Sequence, residues 1–470
     1  MKSKRQFGKD FTSGSIPRHL VQFALPILIG NLLATGYSVI NIIWIGRLLG
    51  TEAVAAAAVS LPIFLAMVAL SSGATLATSI LVSRAYGAGD HKKIQQVVNN
   101  SWSVALIAIV LVTASGLLFA DTLLRLLSTP AEIMGIASGY LKLTMLSFAF
   151  MYMSYLIASV LRGIGDTTIP LMFIVLSTVV NAVLDPLLII GFGPIPSLGL
   201  NGAAGASILA TGISVVLGFL YVRYKYREGP INPTRLLFER AIIMDIMRIG
   251  LPSFVQQMLV SLGYAVITIF VNGFGAAATA AFGVAGRIDS IVAMPAIAVM
   301  MAASTLTAQN LGAGKADRLK HILGWGILIN IPVIAAISLL CVTFPEAILQ
   351  VFVKDEDVVS KGVEYLRLVG FGYLFFIVFY VSNGIINGAG KTISTMIISL
   401  ISLCLVRIPL AAWLSNTELG IRGVWLAIVL SFAVTTAASL LYYFSGKWLK
   451  GVTAVHDKQG EEHPLSTTSD

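Results

Sequence analysis

The run from Leu20 to Ile45 reads LVQFALPILIGNLLATGYSVINIIWI and contains no charged side chain. A helix needs about 20 apolar residues to cross the hydrocarbon core of a bilayer. This run is long enough to do so and too long for the apolar region of a signal peptide, so it predicts a retained first transmembrane helix. Eleven further apolar runs lie at roughly 54–83, 96–120, 134–160, 168–191, 202–223, 245–272, 276–306, 322–345, 363–386, 393–413 and 422–446.

The composition of the whole chain agrees with a membrane protein. Of the 470 residues, 57% are hydrophobic and only 11% are charged, whereas soluble chains contain about 25% charged residues. The mean hydropathy is +0.89. A net charge of +9 would suggest nucleic-acid binding in a soluble protein. Here the basic residues cluster in short loops, so we expect no nucleic-acid partner.

The distribution of Lys and Arg predicts the orientation of the chain. If the N-terminus lies inside, the outside loops hold only Arg47, Arg125, Lys354, Lys361 and Arg422. Cytoplasmic loops carry the excess of basic residues, so we expect a multi-pass protein of the cytoplasmic membrane with both termini inside. The predicted regions are a cytoplasmic segment (1–19), a first six-helix lobe (20–223), a cytoplasmic linker (224–244), a second six-helix lobe (245–446) and a cytoplasmic tail (447–470).

The two halves of the chain resemble each other at a nearly constant offset. The matching pairs are Leu25-Pro26 with Leu251-Pro252, Gly36-Tyr37 with Gly263-Tyr264, Gly87-Ala88-Gly89 with Gly312-Ala313-Gly314, Tyr140-Leu141 with Tyr365-Leu366, Gly163-Ile164-Gly165 with Gly388-Ala389-Gly390, and Gly199-Leu200 with Gly420-Ile421. Each half has an even number of spans and therefore enters the membrane the same way round. We expect two lobes related by a pseudo-two-fold axis along the membrane normal.

The sequence lacks the motifs of a membrane enzyme. No HExxH motif and no pair of intramembrane aspartates is present, and the two cysteines have no metal-ligand spacing. We therefore expect no catalytic residues, no metal site and no cofactor. The Gly-x-Gly loops do not follow a strand, so we interpret them as tight cytoplasmic turns rather than dinucleotide-binding loops.

Several short motifs together resemble those of the bacterial branch of the multidrug and toxic compound extrusion family. They are Ile45-Gly46-Arg47-Leu48-Leu49-Gly50, Gly87-Ala88-Gly89-Asp90, Leu161-Arg162-Gly163-Ile164-Gly165-Asp166-Thr167, Asn181-Ala182-Val183-Leu184-Asp185-Pro186, Arg287-Ile288-Asp289, and Gln309-Asn310-Leu311-Gly312-Ala313-Gly314. The resemblance runs from Pro26 to about Tyr443. It implies two six-helix lobes around a central cavity, and export of drug-like, often cationic compounds in exchange for protons or sodium.

The chain departs from that family at three positions. Many relatives have an aspartate in span one where this chain has Asn41, and some have a glutamate in span seven where it has Val260. An aspartate that those relatives carry in span ten falls on Phe376 here. The resemblance therefore gives no support for the second-lobe cation site of that branch. A flippase for lipids or lipid-linked precursors is the alternative function.

Polar residues within the predicted spans are candidate functional residues, because an ionisable side chain at mid-bilayer costs at least about 2.5–3.5 kcal/mol. In the first lobe, Asp185, Asn181, Asn41 and Tyr37 lie at similar depth and form a predicted cation-coupling cluster. Asp185 could instead lie solvated at the interface. The loss of one carboxylate at Asn41 favours protons over sodium as the coupling ion.

In the second lobe, the candidates are Asp289, Arg407, Gln256 and Gln257. They are predicted either to line a substrate cavity or, for Asp289 and Arg407, to form a structural ion pair that neutralises both charges. The expected partners of the protein are small organic substrates and membrane lipids, with one chain acting as a monomer.

Overall fold

The computed structural model describes residues 8–191, 193, 196–227, 229–233 and 235–449, and this part of the chain contains helices but no strands. The helices are α1 (Ile16–Leu49), α2 (Thr51–Gly87), α3 (His91–Leu126), α4 (Ala131–Gly163), α5 (Thr168–Ile190), α6 (Leu200–Lys225), α7 (Arg240–Asn272), α8 (Ala276–Gly312), α9 (Leu319–Thr343), α10 (Pro345–Gln350), α11 (Glu356–Gly372), α12 (Leu374–Gly388), α13 (Thr392–Leu400), α14 (Ile408–Leu414) and α15 (Ile421–Phe444). A 3₁₀ turn at Ala316–Arg318 precedes α9.

The number of membrane spans agrees with the sequence prediction. Within the described residues, eleven helical spans are long and apolar enough to cross a membrane, and α11 with α12 makes a twelfth that is bent by 48°. The bend lies where the sequence predicts one span at 363–386. Gly370 and Gly372 lie directly before it, and glycine weakens a helix at this point. The predicted all-α fold with about twelve spans is confirmed.

The span Thr392–Leu414 is interrupted by a π-helical segment at Ile401–Arg407, between α13 and α14. Pro409 follows it in the first turn of α14. Proline has no N–H to bond the carbonyl of the preceding turn, and π-helical segments occur where the regular hydrogen-bond ladder is broken, often at functional sites. Arg407 is the last residue of the π-helical segment.

The chain divides into two compact units. The first contains Leu25–Val82 and Asp90–Phe254, and the second contains Asp10–Ala24, Ser83–Gly89 and the chain from Val255 onward. In the second unit α8 is the most buried span, with 78% of its most apolar window buried. Its residue Phe282 stacks on Trp425 of α15 at 5.6 Å between ring centroids, and Tyr365 of α11 meets the same tryptophan edge-on at 4.9 Å.

Glycines allow α12 to approach α8 closely within the second unit. Gly384 and Gly388, one turn apart, face the carbonyl oxygens of Met300 and Ser304; a Cβ on either glycine would lie 2.4 Å from the oxygen. This is the small-xxx-small arrangement that brings transmembrane helices together. The turns interpreted from the Gly-x-Gly loops are also present: the second glycines of the four loops (Gly89, Gly165, Gly314 and Gly390) have φ between +71° and +85°.

The predicted cytoplasmic segments are only partly described. Residues 1–7 and 450–470, which include most of the predicted tail, lie outside the described residues. Phe11 is 1% exposed and packs in the second unit. Its N–H donates to Oε1 of Gln309 (3.0 Å), and its carbonyl accepts from Nδ2 of Asn310 (3.2 Å). The chain from Asp10 to the start of α1 therefore forms part of the packed second unit.

Asp10 organises the turn next to Phe11. Its carboxylate accepts from the backbone N–H of Thr12 (2.8 Å) and from the hydroxyl of Ser13 (3.0 Å). Partial burial raises the pKa of Asp10, but these hydrogen bonds and the charge of Lys315 outweigh it and hold the pKa below its usual 3.8. The ionised carboxylate is thus the form that stabilises this turn.

Candidate functional site

Three polar side chains of the first unit form a hydrogen-bonded cluster, here called the Asp185 cluster: Tyr37, Asn41 and Asp185. Tyr37 and Asn41 lie one turn apart on α1 and so share a helix face. The hydroxyl of Tyr37 donates to Oδ2 of Asp185 (2.6 Å), and Nδ2 of Asn41 donates to the same oxygen (2.8 Å). Asn41 also donates to the hydroxyl of Tyr37 at 3.0 Å. The structure therefore brings together three of the four residues predicted for the first lobe.

Asn181, the fourth predicted residue, lies beside this cluster without a hydrogen bond to it. It is one turn before Asp185 on α5, as predicted, and its Nδ2 donates to the hydroxyl of Ser207 on α6 (3.3 Å). Its Oδ1 atom is buried and has no hydrogen-bond partner. Ser207 was not identified from the sequence, because a serine among small residues of α6 gives no signal of its role.

Asp185 is a fully buried carboxylate of the first unit. Its side chain is 0% exposed, so the alternative of a solvated carboxylate at the interface does not hold in this structure. Both neutral donors point at Oδ2, whereas Oδ1 is buried without a partner. A carboxylate in such surroundings gains by taking up a proton or a cation, since burial disfavours its charged form. Oδ1 is the atom available for either.

In the second unit Asp289 is held by two tyrosines. Oδ2 accepts from the hydroxyl of Tyr365 (2.6 Å), and Oδ1 accepts from the hydroxyl of Tyr373 (2.5 Å). Both rings are buried, at 1% and 0% exposure. Neither tyrosine was predicted as a site residue. Tyr365 belongs to a matching pair of the internal repeat, with Tyr140 as its counterpart, so that match was the only available signal.

The predicted ion pair between Asp289 and Arg407 is wrong in its direct form. In the described part of the chain Arg407 does not reach Asp289 within ion-pair distance, whereas Lys142 pairs with Asp121 and Lys225 with Asp166. Arg407 instead donates from Nε to the hydroxyl of Ser431 (2.8 Å) and lies over the ring of Phe432, 4.9 Å from its centroid. The physical reason is that Tyr365 and Tyr373 supply the donors a buried carboxylate needs, so Asp289 is satisfied without Arg407 at ion-pair distance. The two charges interact only across a gap.

The two glutamines do not join these charged groups by hydrogen bonds. Nε2 of Gln256 donates to the hydroxyl of Ser399 on α13 (2.8 Å) and to the carbonyl of Thr395 (3.4 Å). Gln257 is exposed. Gln256 thus ties α7 to α13, and the substrate cavity lined by these four residues stays a prediction.

Comparison with known families shows the same internal repeat that the sequence predicts. The family model described as MatE matches the chain twice, at residues 26–187 and 252–413. The two matches are offset by 226 residues, within the range of the offsets between the paired motifs. The predicted repeat is therefore confirmed.

The chain is similar over nearly its whole length to two bacterial proteins. It is 34% identical to the probable multidrug resistance protein YpnP of Bacillus subtilis, over 93% of this chain and 97% of that protein. It is 30% identical to the probable multidrug resistance protein YoeA of the same organism, over 93% and 95% of the two chains. Among solved structures, a MOP superfamily transporter from Pyrococcus furiosus has the same fold, with a TM-score of 0.87 at 24% identity over 94% and 98% of the two chains.

Proposed function

Because the chain belongs to the multidrug and toxic compound extrusion (MatE) family, we propose that it exports drug-like, cationic organic compounds from the cytoplasm in exchange for protons. Members of this family are transporters, and this chain is a membrane transporter and not an enzyme. The names of YpnP and YoeA support drug compounds as the substrates. Transport by alternating access would expose the binding site to each side of the membrane in turn.

The Asp185 cluster carries the proposal. Antiport needs a site where the coupling ion and the substrate oppose each other's binding. A single buried carboxylate can do this, because a proton on Asp185 removes the negative charge that would balance a cationic substrate. The unpartnered Oδ1 of Asp185 is the atom at which the proton would bind.

The ligand set favours protons over sodium. Tyr37 and Asn41 both donate hydrogen bonds to Asp185, so in this arrangement their hydrogen atoms, and not free oxygen atoms, face the carboxylate. The buried acceptors without a partner here are Oδ1 of Asp185 and Oδ1 of Asn181. Hard cations are usually held by about six oxygen ligands. A proton needs one acceptor, which the cluster provides.

The experiment is efflux of ethidium from proteoliposomes under an imposed pH gradient, and separately under an imposed sodium gradient. Asp185→Asn should reconstitute normally and lose gradient-driven efflux. Asp121→Asn is the matched control, since Asp121 is an exposed carboxylate of the same unit, paired with Lys142, and its change should leave efflux intact. Full efflux by Asp185→Asn at normal protein levels would refute the proposal, and efflux driven by sodium alone would refute proton coupling.

The proposal also includes the setting of the transporter. The excess of Lys and Arg in alternate loops supports a protein of the cytoplasmic membrane with both termini in the cytoplasm. Both copies of the MatE repeat lie on one chain, which supports function as a monomer in contact with membrane lipids. The substrate binds without a resident cofactor.

A further inference from the structure

Arg407 is a cation within a membrane span that has no carboxylate at ion-pair distance in the described part of the chain. Of its three guanidinium nitrogens, Nε is engaged by the hydroxyl of Ser431 at 2.8 Å. Neither of the two terminal nitrogens makes a hydrogen bond to a described residue. Because they are also absent from the fully buried polar atoms without a partner, each keeps some accessible surface. They form the planar fork that binds a carboxylate with two parallel hydrogen bonds.

The position of this fork is fixed by its surroundings. Ser431 is 0% exposed, and its hydroxyl is itself oriented toward the carbonyl of Ile428 (2.7 Å). The guanidinium carbon lies 4.9 Å from the ring centroid of Phe432, within the range of a cation–π contact. The π-helical segment ends at Arg407. The donors are thus held in place before any ligand arrives, which lowers the entropy cost of binding.

Asp289 cannot take the place of a ligand at this fork in the observed arrangement. Tyr365 and Tyr373 each bond one of its oxygens, at 2.6 and 2.5 Å, and both rings are buried in the core of the second unit. Turning the carboxylate toward Arg407 would break one of these bonds and leave a buried phenol unpaired. The protein therefore keeps an anion near Arg407 without letting it bind the fork.

The groups next to Arg407 are aromatic. Phe432 packs edge-on against Phe376, with 4.9 Å between ring centroids, and Phe376 packs edge-on against Tyr380 at 5.4 Å. Phe432 and Tyr380 are only partly buried, so parts of both rings are not covered by the rest of the chain. A planar aromatic ligand can pack on such rings while its anionic group meets the fork.

We propose that the second unit contains a binding site for aromatic organic carboxylates, anchored by the guanidinium fork of Arg407 and lined by Phe432 and Tyr380. This proposal rests on the proposed function only in that the ligand of the site would be a transported substrate. It extends the range of substrates from cations to aromatic anions. The site is separate from the Asp185 cluster, so binding to it can be measured without transport.

The test compares two dyes that share the xanthene ring system, the carboxylate fluorescein and the cation rhodamine 123. Their binding to the purified full-length protein in lipid nanodiscs is followed by fluorescence anisotropy. Arg407→Gln should weaken fluorescein binding by about tenfold or more, the effect of losing a charge-assisted bidentate contact, without weakening rhodamine 123. Arg422→Gln, which removes an exposed arginine paired with Glu364, is the matched control and should bind both dyes as the wild type does.

A second variant should change the affinity for fluorescein in the opposite direction. Asp289→Asn removes the nearby negative charge and should tighten fluorescein binding. It also keeps the proposal testable if Arg407→Gln does not fold, as judged by its melting curve. In the wild-type protein, fluorescein should also protect Arg407 from phenylglyoxal, as read by peptide mass spectrometry, and rhodamine 123 should not.

The proposal is overturned if the wild type does not bind fluorescein, if a folded Arg407→Gln binds it unchanged, or if fluorescein leaves Arg407 open to phenylglyoxal. Failure of the proposed proton coupling would look different. Asp185→Asn would then retain gradient-driven efflux, while fluorescein binding and its dependence on Arg407 would be unaffected.

Discussion

The contact between α12 and α8 allows a direct test of how the second unit is held together. Gly384 of α12 lies against the backbone of α8 at Met300, and Gly388 repeats the contact one turn later at Ser304. Lipid tails are as apolar as the side chains between helices, so close packing is what stabilises the pair. We expect Gly384→Ala to destabilise the second unit, although alanine is the better helix former.

The magnitude follows from the geometry. The new Cβ would lie 2.4 Å from the carbonyl oxygen of Met300, whereas ordinary contacts begin at 3.4 Å. The obstacle is backbone, so the two helices must move apart by about 1 Å, and overpacking of this kind costs about 1–3 kcal/mol. Alanine recovers about 0.5–1 kcal/mol over glycine in a helix. The expected net loss relative to the wild type is about 1 kcal/mol, within a range of roughly 0–2.5 kcal/mol.

Gly283→Ala is the matched control. Gly283 lies in α8 of the same unit, and no atom of a neighbouring element is within 4 Å of the position its Cβ would take. The helix-propensity gain is then the same in both variants, and only the contact differs. In detergent, Gly384→Ala should melt several degrees below Gly283→Ala, since 1 kcal/mol corresponds to roughly 2–4 °C for a unit of this size. Equal or reversed melting temperatures would refute the packing argument.

Three further outcomes are expected. Tyr37→Phe removes the 2.6 Å hydrogen bond to Asp185 and should slow efflux and shift its pH dependence without abolishing it; an unchanged pH profile would count against the cluster. Gly229→Cys should react only with membrane-permeant thiol reagents in intact cells, and Ser415→Cys with impermeant ones; the reverse pattern would contradict the proposed orientation. Asp10→Asn should lower the melting temperature at neutral pH. The pKa of Asp10 in the folded protein is lower than its usual value of 3.8. Its contribution to stability is therefore fully present above pH 3.8 and is lost as the pH falls through the pKa of the folded state. The difference between variant and wild type should therefore close in acid, and a constant difference would argue against this role.

The fold could be predicted from the sequence because the membrane restricts the possible structures. In lipid every backbone polar group must be bonded internally, so apolar runs such as Leu20–Ile45 can only be helices. The predicted ends of the helices were less accurate. The helices α1 and α7 begin at Ile16 and Arg240, before the predicted starts at 20 and 245, because polar residues at the membrane interface can continue a helix at little cost. The 48° bend between α11 and α12 was not predicted, because it depends on how Gly370 and Gly372 pack and not on hydropathy.

The candidate sites were predictable where one helix face or one charge decided the outcome. Tyr37 and Asn41 are one turn apart on α1, and Asp185 is a lone carboxylate in its span, so their proximity could be predicted from depth alone. The hydrogen-bond partners of Asp289 could not be predicted from the sequence. Charge complementarity points to Arg407, whereas the fold places Tyr365 and Tyr373 at the carboxylate. A tyrosine in an apolar helix resembles a packing residue until the position of its hydroxyl is known.

The internal repeat explains why the two units have different polar sites on a similar scaffold. The offset of 225 that relates Gly87 to Gly312 and Tyr140 to Tyr365 places Phe64 at the position of Asp289 and Phe148 at that of Tyr373. The first half therefore keeps one tyrosine but lacks both the carboxylate and the second phenol. A buried carboxylate needs its donors, and a buried phenol facing an apolar residue would lose its partner. Acid and phenol are thus present together in one half and absent together in the other. In the first half the buried carboxylate is on α5 instead, where α1 supplies its donors. The repeat preserves the sequence pattern of the spans, while each unit builds its own charged site from different spans.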